Sequence, residues 1–271
     1  MEKYKQIEHS ITKKFRHTLW RRFVHAVDEY KMVQEGDKIA VCISGGKDSM
    51  LLAKLMQQLK KHWVVNFDLE FVVMDPGYLP QNRKLIEDNA LLMDIPIKIF
   101  ETKIFDVVSD IKESPCYLCA RMRRGYLYEF AKSLGCNKIA LGHHFDDAVE
   151  TILLSMFYGA EYKTMMPKLK STNHEGMELI RPLYLIREQD IIHWQQYNNL
   201  SFLQCACKFT EGLAIGNVSS KRKEIKELIK SLKQINPSVD INIFRSIHKV
   251  NLSTVIGYVQ NDKYKNFLDE Y

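Results

Sequence analysis

The chain has 271 residues, 46% of them hydrophobic and 27% charged, with a formal net charge of +6 at pH 7. That is the balance of an ordinary globular protein, with enough chain for one large α/β domain or a domain with an appendage. No apolar run approaches the eighteen residues of a membrane span, and the first 22 residues have no apolar centre such as a secretory signal carries, so a cytoplasmic, membrane-free protein is expected.

Residues 4–32 predict one or two basic amphipathic helices, with Leu19, Phe23, Val24, Ala26 and Val27 in the apolar stripe. Glu35-Gly36-Asp37 reads as a turn, 38–43 as an apolar strand, 44–49 as a loop and 50–59 as a helix. The pattern then repeats: strand 69–74 ending at Asp75-Pro76-Gly77, helix 81–93, strand 97–100, helix 120–134, strand 138–141 ending at Gly142-His143-His144, and helix 146–158. Residues 163–176 read as a loop with a possible hairpin, 180–185 as a short extended piece, 188–198 as a helix, 212–220 as a loop and 221–234 as a basic helix. Residues 236–271 are expected to be helical.

Short apolar strands alternating with helices predict a parallel sheet covered on both faces, an α/β fold of Rossmann-like type whose sites form at the carboxyl ends of the strands. The expected domains are a basic N-terminal helical segment at 1–35, a nucleotide-binding domain at 36–215 and a C-terminal helical region at 216–271. Cations gather in the first 22 residues, at Arg121, Arg123 and Arg124, and between Lys221 and Lys233. Such groups can neutralise phosphates or simply solvate helix faces.

Ser44-Gly45-Gly46-Lys47-Asp48-Ser49 lies between a strand and a helix. The glycines let the backbone approach a ligand, the peptide N–H groups and the helix start make an anion site, and Lys47 adds a compact charge suited to phosphate. It is not a Walker A loop, because Val41 stands where the first glycine belongs and Asp48 follows the lysine. The dinucleotide spacing Gly-x-Gly-x-x-Gly is also missing. These six residues after an apolar strand resemble the PP-loop of the ATP-pyrophosphatases, which cleave ATP between the α and β phosphates to adenylate an oxygen.

Six cysteines are present. Cys42 and Cys136 lie in or beside apolar runs and read as inert core residues. Cys116-x-x-Cys119 and Cys205-x-Cys207 are close pairs, spaced for a metal or redox site. Zinc held by all four, an iron–sulfur cluster and a dithiol are the readings open to them. Three thiolates would leave one iron of a [4Fe–4S] cluster open, where full ligation takes four.

Longer stretches narrow the family. The run 35–42 into the loop, Cys116-Tyr117-Leu118-Cys119 followed by Arg121-Met122-Arg123-Arg124-Gly125, the run 139–147, Met156-Phe157-Tyr158-Gly159 and Arg181-Pro182-Leu183 together resemble the TtcA family of tRNA-cytidine 2-sulfurtransferases, over about residues 20–235. The resemblance implies an enzyme that adenylates a tRNA pyrimidine, cytidine 32 of the anticodon loop, and replaces its O2 with sulfur. It further implies ATP, Mg²⁺, a [4Fe–4S] cluster on Cys116, Cys119 and Cys205, a sulfur donor such as a cysteine desulfurase or sulfide, and a homodimer. Where the family commonly has a second Cys-x-x-Cys, this chain has Cys205-Ala206-Cys207, so Cys207 is the alternative third ligand. Ser44 to Ser49, Asp75 and Gly142 would bind the nucleotide. Asp147, and secondarily Asp146, would hold Mg²⁺, and Arg123, one helical turn after Cys119, would steady the adenylate or a tRNA phosphate. His143 reads as a helix-capping, structural or catalytic residue, and the Asp pair also suits a helix N-terminus. Two other functions are carried: a cluster-free ligase like tRNA lysidine synthetase, and a zinc-stabilised RNA-binding module.

Overall fold

The computed structural model describes residues 2–105, 115–203 and 218–270. Its main sheet has the order β3-β2-β1-β4-β6-β5. Strands β1 (Lys38–Ile43), β2 (Asp68–Asp75), β3 (Ile97–Glu101), β4 (Lys138–Ala140) and β6 (Glu178–Ile180) pair in parallel. Only β5 (Lys168–Lys170) runs antiparallel, to β6, closing the hairpin foreseen after residue 163. The central strands read as continuous apolar runs because both faces are covered. Ala40, Cys42, Val72, Ile139 and Leu179 pack together with Tyr128 and Ala131 of α5 (Pro115–Ser133). The alternate residues of β1, Ile39, Val41 and Ile43, are buried too, and α3 (Lys47–His62) packs on β1 and β2.

α3 is buried nearly all round, its Lys54 and Gln58 included. Met50, Leu51, Leu52, Ala53, Leu55, Met56 and Leu59 are fully buried, the pattern of a helix enclosed by its neighbours. One neighbour is the sheet; the others are α1 (Lys3–Thr12) and α7 (Glu188–Tyr197). Each of the leucine and methionine side chains contributes about 1.5–3 kcal/mol by leaving water. The N-terminal helices α1 and α2 (Arg21–Glu29) bury Ile7, Ile11 and Phe23 and are joined by a π-helical turn at Arg16–Trp20 that buries Leu19. Cys42 and Cys136 are core residues, and burial pushes their thiols up to about 12 and about 11.

Residues 1–148 and 165–220 form one compact unit, and 149–164 with 221–271 a second. The N-terminal helices belong to the first. Within the second, buried Glu150 pairs with Arg222 at 3.0 Å and Lys226 at 3.5 Å, and Lys233 with Asp240 at 2.6 Å. Its C-terminal stretch departs from the all-helical expectation. After α8 (Val218–Ile235) and α9 (Val239–Ser246) the chain forms a hairpin of β7 (Gly257–Gln260) and β8 (Lys263–Asn266). Asn261 and Asp262 turn it with φ of 51° and 59°, the left-handed pair that a two-residue hairpin needs and that Asn and Asp tolerate. Among the described residues, no helix is long and apolar enough to cross a membrane.

Candidate active site

β1 stands where the strand order diverges, with β2 on one side and β4 on the other. The loop that follows it therefore opens into the crevice where open α/β sheets bind ligands. Gly45 takes a φ of 83°, and a Cβ there would come within 2.5 Å of Ile86 Cγ1. The Ser49 hydroxyl braces the loop: it accepts from Ser44 N at 3.2 Å and donates to the Gly46 carbonyl at 2.9 Å. Leu203 N donates to the Gly45 carbonyl at 3.1 Å, closing the loop from the far end of the sequence. α3 begins at Lys47 with Gly46 as N-cap and no side-chain cap, so its first amides and its dipole face the crevice as an anion site.

The charges are coupled. Lys47 Nζ lies 3.2 Å from Asp48 Oδ2 and 3.0 Å from Glu188 Oε1. Burial works to lower the Lys47 pKa, but the two carboxylates outweigh it and hold the ammonium firmly charged. Burial raises the Asp48 pKa above the usual carboxylate range despite His144 and Lys47. Asp48 Oδ1 is buried and accepts no hydrogen bond from any described residue; His144 Nε2 is 4.0 Å away.

The second wall comes from the turn after β4. A Cβ on Gly142 would lie 3.1 Å from both Asp48 C and Ser49 N and 3.3 Å from Asp48 O. Backbone cannot rotate aside as a side chain can. Gly142→Ala is therefore expected to cost roughly 1–3 kcal/mol of overpacking and to weaken nucleotide binding by displacing the α3 N-terminus. Gly46→Ala, whose Cβ would meet nothing nearer than 3.6 Å, should leave stability nearly unchanged. Urea unfolding of the two variants checks this; equal stabilities would contradict it.

α6 (Phe145–Gly159) starts at this turn. The capping histidine is His144, not His143. Its Nδ1 accepts from Asp147 N at 3.4 Å, while Asp147 Oδ2 accepts from His144 N at 3.0 Å, a reciprocal capping box. Asp146 Oδ2 accepts from Glu188 N at 2.7 Å, tying the start of α6 to the start of α7. Asp147, Asp146, His144, Asp48, Lys47 and Glu188 thus form one continuous polar cluster against the loop. Sequence reasoning missed Glu188 and did not single out His144 as the cap, because neither is marked by a motif.

Asp75 ends β2 with its carboxylate engaged. Oδ1 accepts from Gly77 N at 2.8 Å and Tyr78 N at 2.7 Å, and Oδ2 pairs with Arg83 at 3.3 Å. Arg123 lies with its guanidinium 5.3 Å from the centre of the Phe105 ring, and Phe105 N donates to the Pro76 carbonyl, so Arg123 belongs to the same strand-end region. Its Nε is buried without a partner among the described residues.

α5 begins at Pro115, five residues before the expected start at 120, so positions 116 and 119 fall within its first turns rather than ahead of it. Proline at the first helical position was the signal for that start. The side chains of Cys116 and Cys119, and all of Cys205 and Cys207, lie outside the described residues. Among the described residues no three His, Cys, Asp or Glu side chains converge as a metal site.

These features meet the comparisons with known proteins. The PP-loop domain family matches residues 15–207. A tRNA-cytidine(32) 2-sulfurtransferase of Pelobacter propionicus is 34% identical over 86% of this chain and 87% of its own. One of Alcanivorax borkumensis is 36% identical over 88% of this chain and 82% of its own. The chain belongs to the PP-loop family of tRNA-cytidine 2-sulfurtransferases. A solved structure, the U34-tRNA thiolase NcsA from Methanococcus maripaludis with its [4Fe-4S] cluster, shares the fold at a TM-score of 0.67 and 21% identity, over 88% of this chain and 82% of that one. In this sulfurtransferase-family chain the motif loop and the strand-end carboxylates therefore sit on a PP-loop fold, at the switch point of its sheet.

Proposed function

We propose that the protein is a cytoplasmic, ATP-dependent tRNA thiolase that converts cytidine 32 of the anticodon loop to 2-thiocytidine. The observation that carries this reading is the pin between Leu203 and the loop. Leu203 N is bonded to the Gly45 carbonyl, and Cys205 is two residues further on. In the sequence only Gln204 separates the pinned Leu203 from Cys205, which supports counting the cysteine pair as part of the same site. α5 carries positions 116 and 119 in its first turns, with Arg123 a turn later on Phe105 at the strand-end region.

The chemistry follows from the residues. The α3 amides and Lys47 hold the triphosphate. A Mg²⁺ ion would draw most of its ligands from phosphate and water, so it would need only one or two protein oxygens, from Asp147 and the unbonded Asp48 Oδ1, and would neutralise phosphate charge there. O2 of the base attacks the α-phosphorus; a P–O bond forms, the α–β bridge breaks and pyrophosphate leaves on the Lys47 side. A sulfur nucleophile then attacks C2 and AMP departs with the former O2. A [4Fe–4S] cluster on Cys116, Cys119 and Cys205, with Cys207 as the alternative, would supply an open iron that carries sulfide. Arg123 balances the charge of the adenylate from the strand-end side. A loop base reaches such a crevice by flipping out, which is cheap in single-stranded RNA.

Mass spectrometry of tRNA nucleosides from cells lacking the protein should show 2-thiocytidine missing and restored by the wild-type gene. The Cys116→Ala protein, purified without oxygen, should lack iron and fail to restore it. Unchanged 2-thiocytidine in the deletion, or an iron-free protein that restores it, would overturn the reading.

A further inference from the structure

On the α5 face of the sheet a cleft of about 690 Å³ opens between α5 and the β5–β6 hairpin. Arg121 and Arg124 line it from the helix, Lys170 and His174 from the hairpin, and Arg181 from the end of β6; buried Tyr128 forms its floor, stacked on His174 at 4.8 Å. Among its lining residues there is no carboxylate, and four permanent cations share the cleft; Asp147 acts on Arg181 from outside that lining.

Arg181 is the unusual member. It is half-buried, it donates to the Met166 carbonyl, and its Nε is buried with no partner among the described residues. Burial, with Arg124 adding repulsion, pushes its pKa down to about 10. A guanidinium placed this way is costly unless an anion completes it. Position supplies the rest. β6 pairs in parallel with β4, Ala140 opposite Ile180, so Arg181 stands on the same strand-end edge as Gly142 and the capping box. Arg121 follows position 119 by two residues on α5.

We propose that this cleft docks a phosphodiester group of the RNA strand flanking the reacting base, held by the Arg181 and Arg124 guanidiniums. Guanidinium matches phosphate in a two-pronged geometry that lysine cannot copy, and the absence of acid in the lining excludes a cationic partner. The cleft thereby sets which neighbour of the target nucleotide is anchored while the base enters the crevice. This proposal rests on the tRNA thiolase reading above.

The test measures the affinity of the intact protein for tRNA across a range of salt, for wild type, Arg124→Gln, Arg181→Gln and, as a control, Lys84→Gln on α4 (Pro80–Leu92), whose side chain is exposed. Each arginine variant is expected to bind tRNA about tenfold more weakly and to flatten the slope of log affinity against log salt by about 0.7, the contribution of one phosphate in a single strand. ATP affinity without tRNA should match wild type in both, which separates lost docking from lost fold, and Lys84→Gln should bind tRNA normally. If wild type binds tRNA and both arginine variants keep its affinity and slope, the docking site is overturned while the thiolase reading stands. If wild type binds no tRNA at all, both fall.

Discussion

Lys47→Ala is expected to lose roughly two to three orders of magnitude in tRNA-dependent release of pyrophosphate from ATP, the usual cost of removing one preorganised donor from a site where negative charge develops. The ammonium is fixed before any phosphate arrives, 3.2 Å from Asp48 and 3.0 Å from Glu188, at the uncapped start of α3. Removing it deletes the one side-chain cation of the loop and leaves those two carboxylates facing Asp146 and Asp147 across the same crevice. The local field then repels the triphosphate. Lys47→Arg keeps the charge but not the compact point geometry, and should retain an intermediate rate. The Lys47 side chain is half-buried rather than in the core, and its helix is held by the apolar contacts of Met50 to Leu59, so thermal stability should change little. Pyrophosphate release within threefold of wild type would sink the assignment.

Asp37→Ala should produce the largest loss of stability, roughly 3–5 kcal/mol, because it strands a buried charge. Lys138 opens β4 with its side chain 2% exposed, and Nζ donates to Asp37 Oδ2 at 2.6 Å and to the Met32 carbonyl at 3.1 Å. The Asp37 carboxylate also accepts from Gln34 N at 2.7 Å and from Asn137 Nδ2 at 2.8 Å. One carboxylate thus ties the starts of β1 and β4 together at the edge opposite the active site. Without it the ammonium keeps the Met32 carbonyl and, as its remaining carboxylate among the described residues, Glu178 at 3.3 Å, which Lys168 shares at 3.1 Å. At the usual 2–4 °C per kcal/mol for a domain of this size, Tm should fall on the order of 10 °C. The double variant Asp37→Ala, Lys138→Met should recover part of that, since the charge is removed with its partner. Calorimetry measures both; an Asp37→Ala protein within 1 kcal/mol of wild type would contradict the account.

The contrast between Lys47 and Asp37 shows what kind of information a sequence carries. Lys47 is legible because its neighbours in space are its neighbours in the chain: strand, glycine turn and helix start are contiguous. Asp37 sits in an ordinary-looking turn, and only pairing β1 with β4 gives it Lys138 and Asn137, about a hundred residues on. His144 and His143 are adjacent and chemically identical, so the choice of cap waits on where α6 begins. The terminal hairpin had a local signal in Asn261-Asp262, but its strands are too short and too exposed to show a clean period of two.

The strand and helix alternation, the nucleotide loop and the family motifs were determined by the sequence alone, because periodicity, glycine placement and contiguous runs are local properties. Tertiary structure alone decided that Glu188 bridges to Lys47, that Leu203 closes on Gly45, and that Arg181 faces Arg124 in an acid-free cleft. Each of those joins residues far apart in the chain, and a charge acquires its meaning only from the partners and the burial that folding assigns to it.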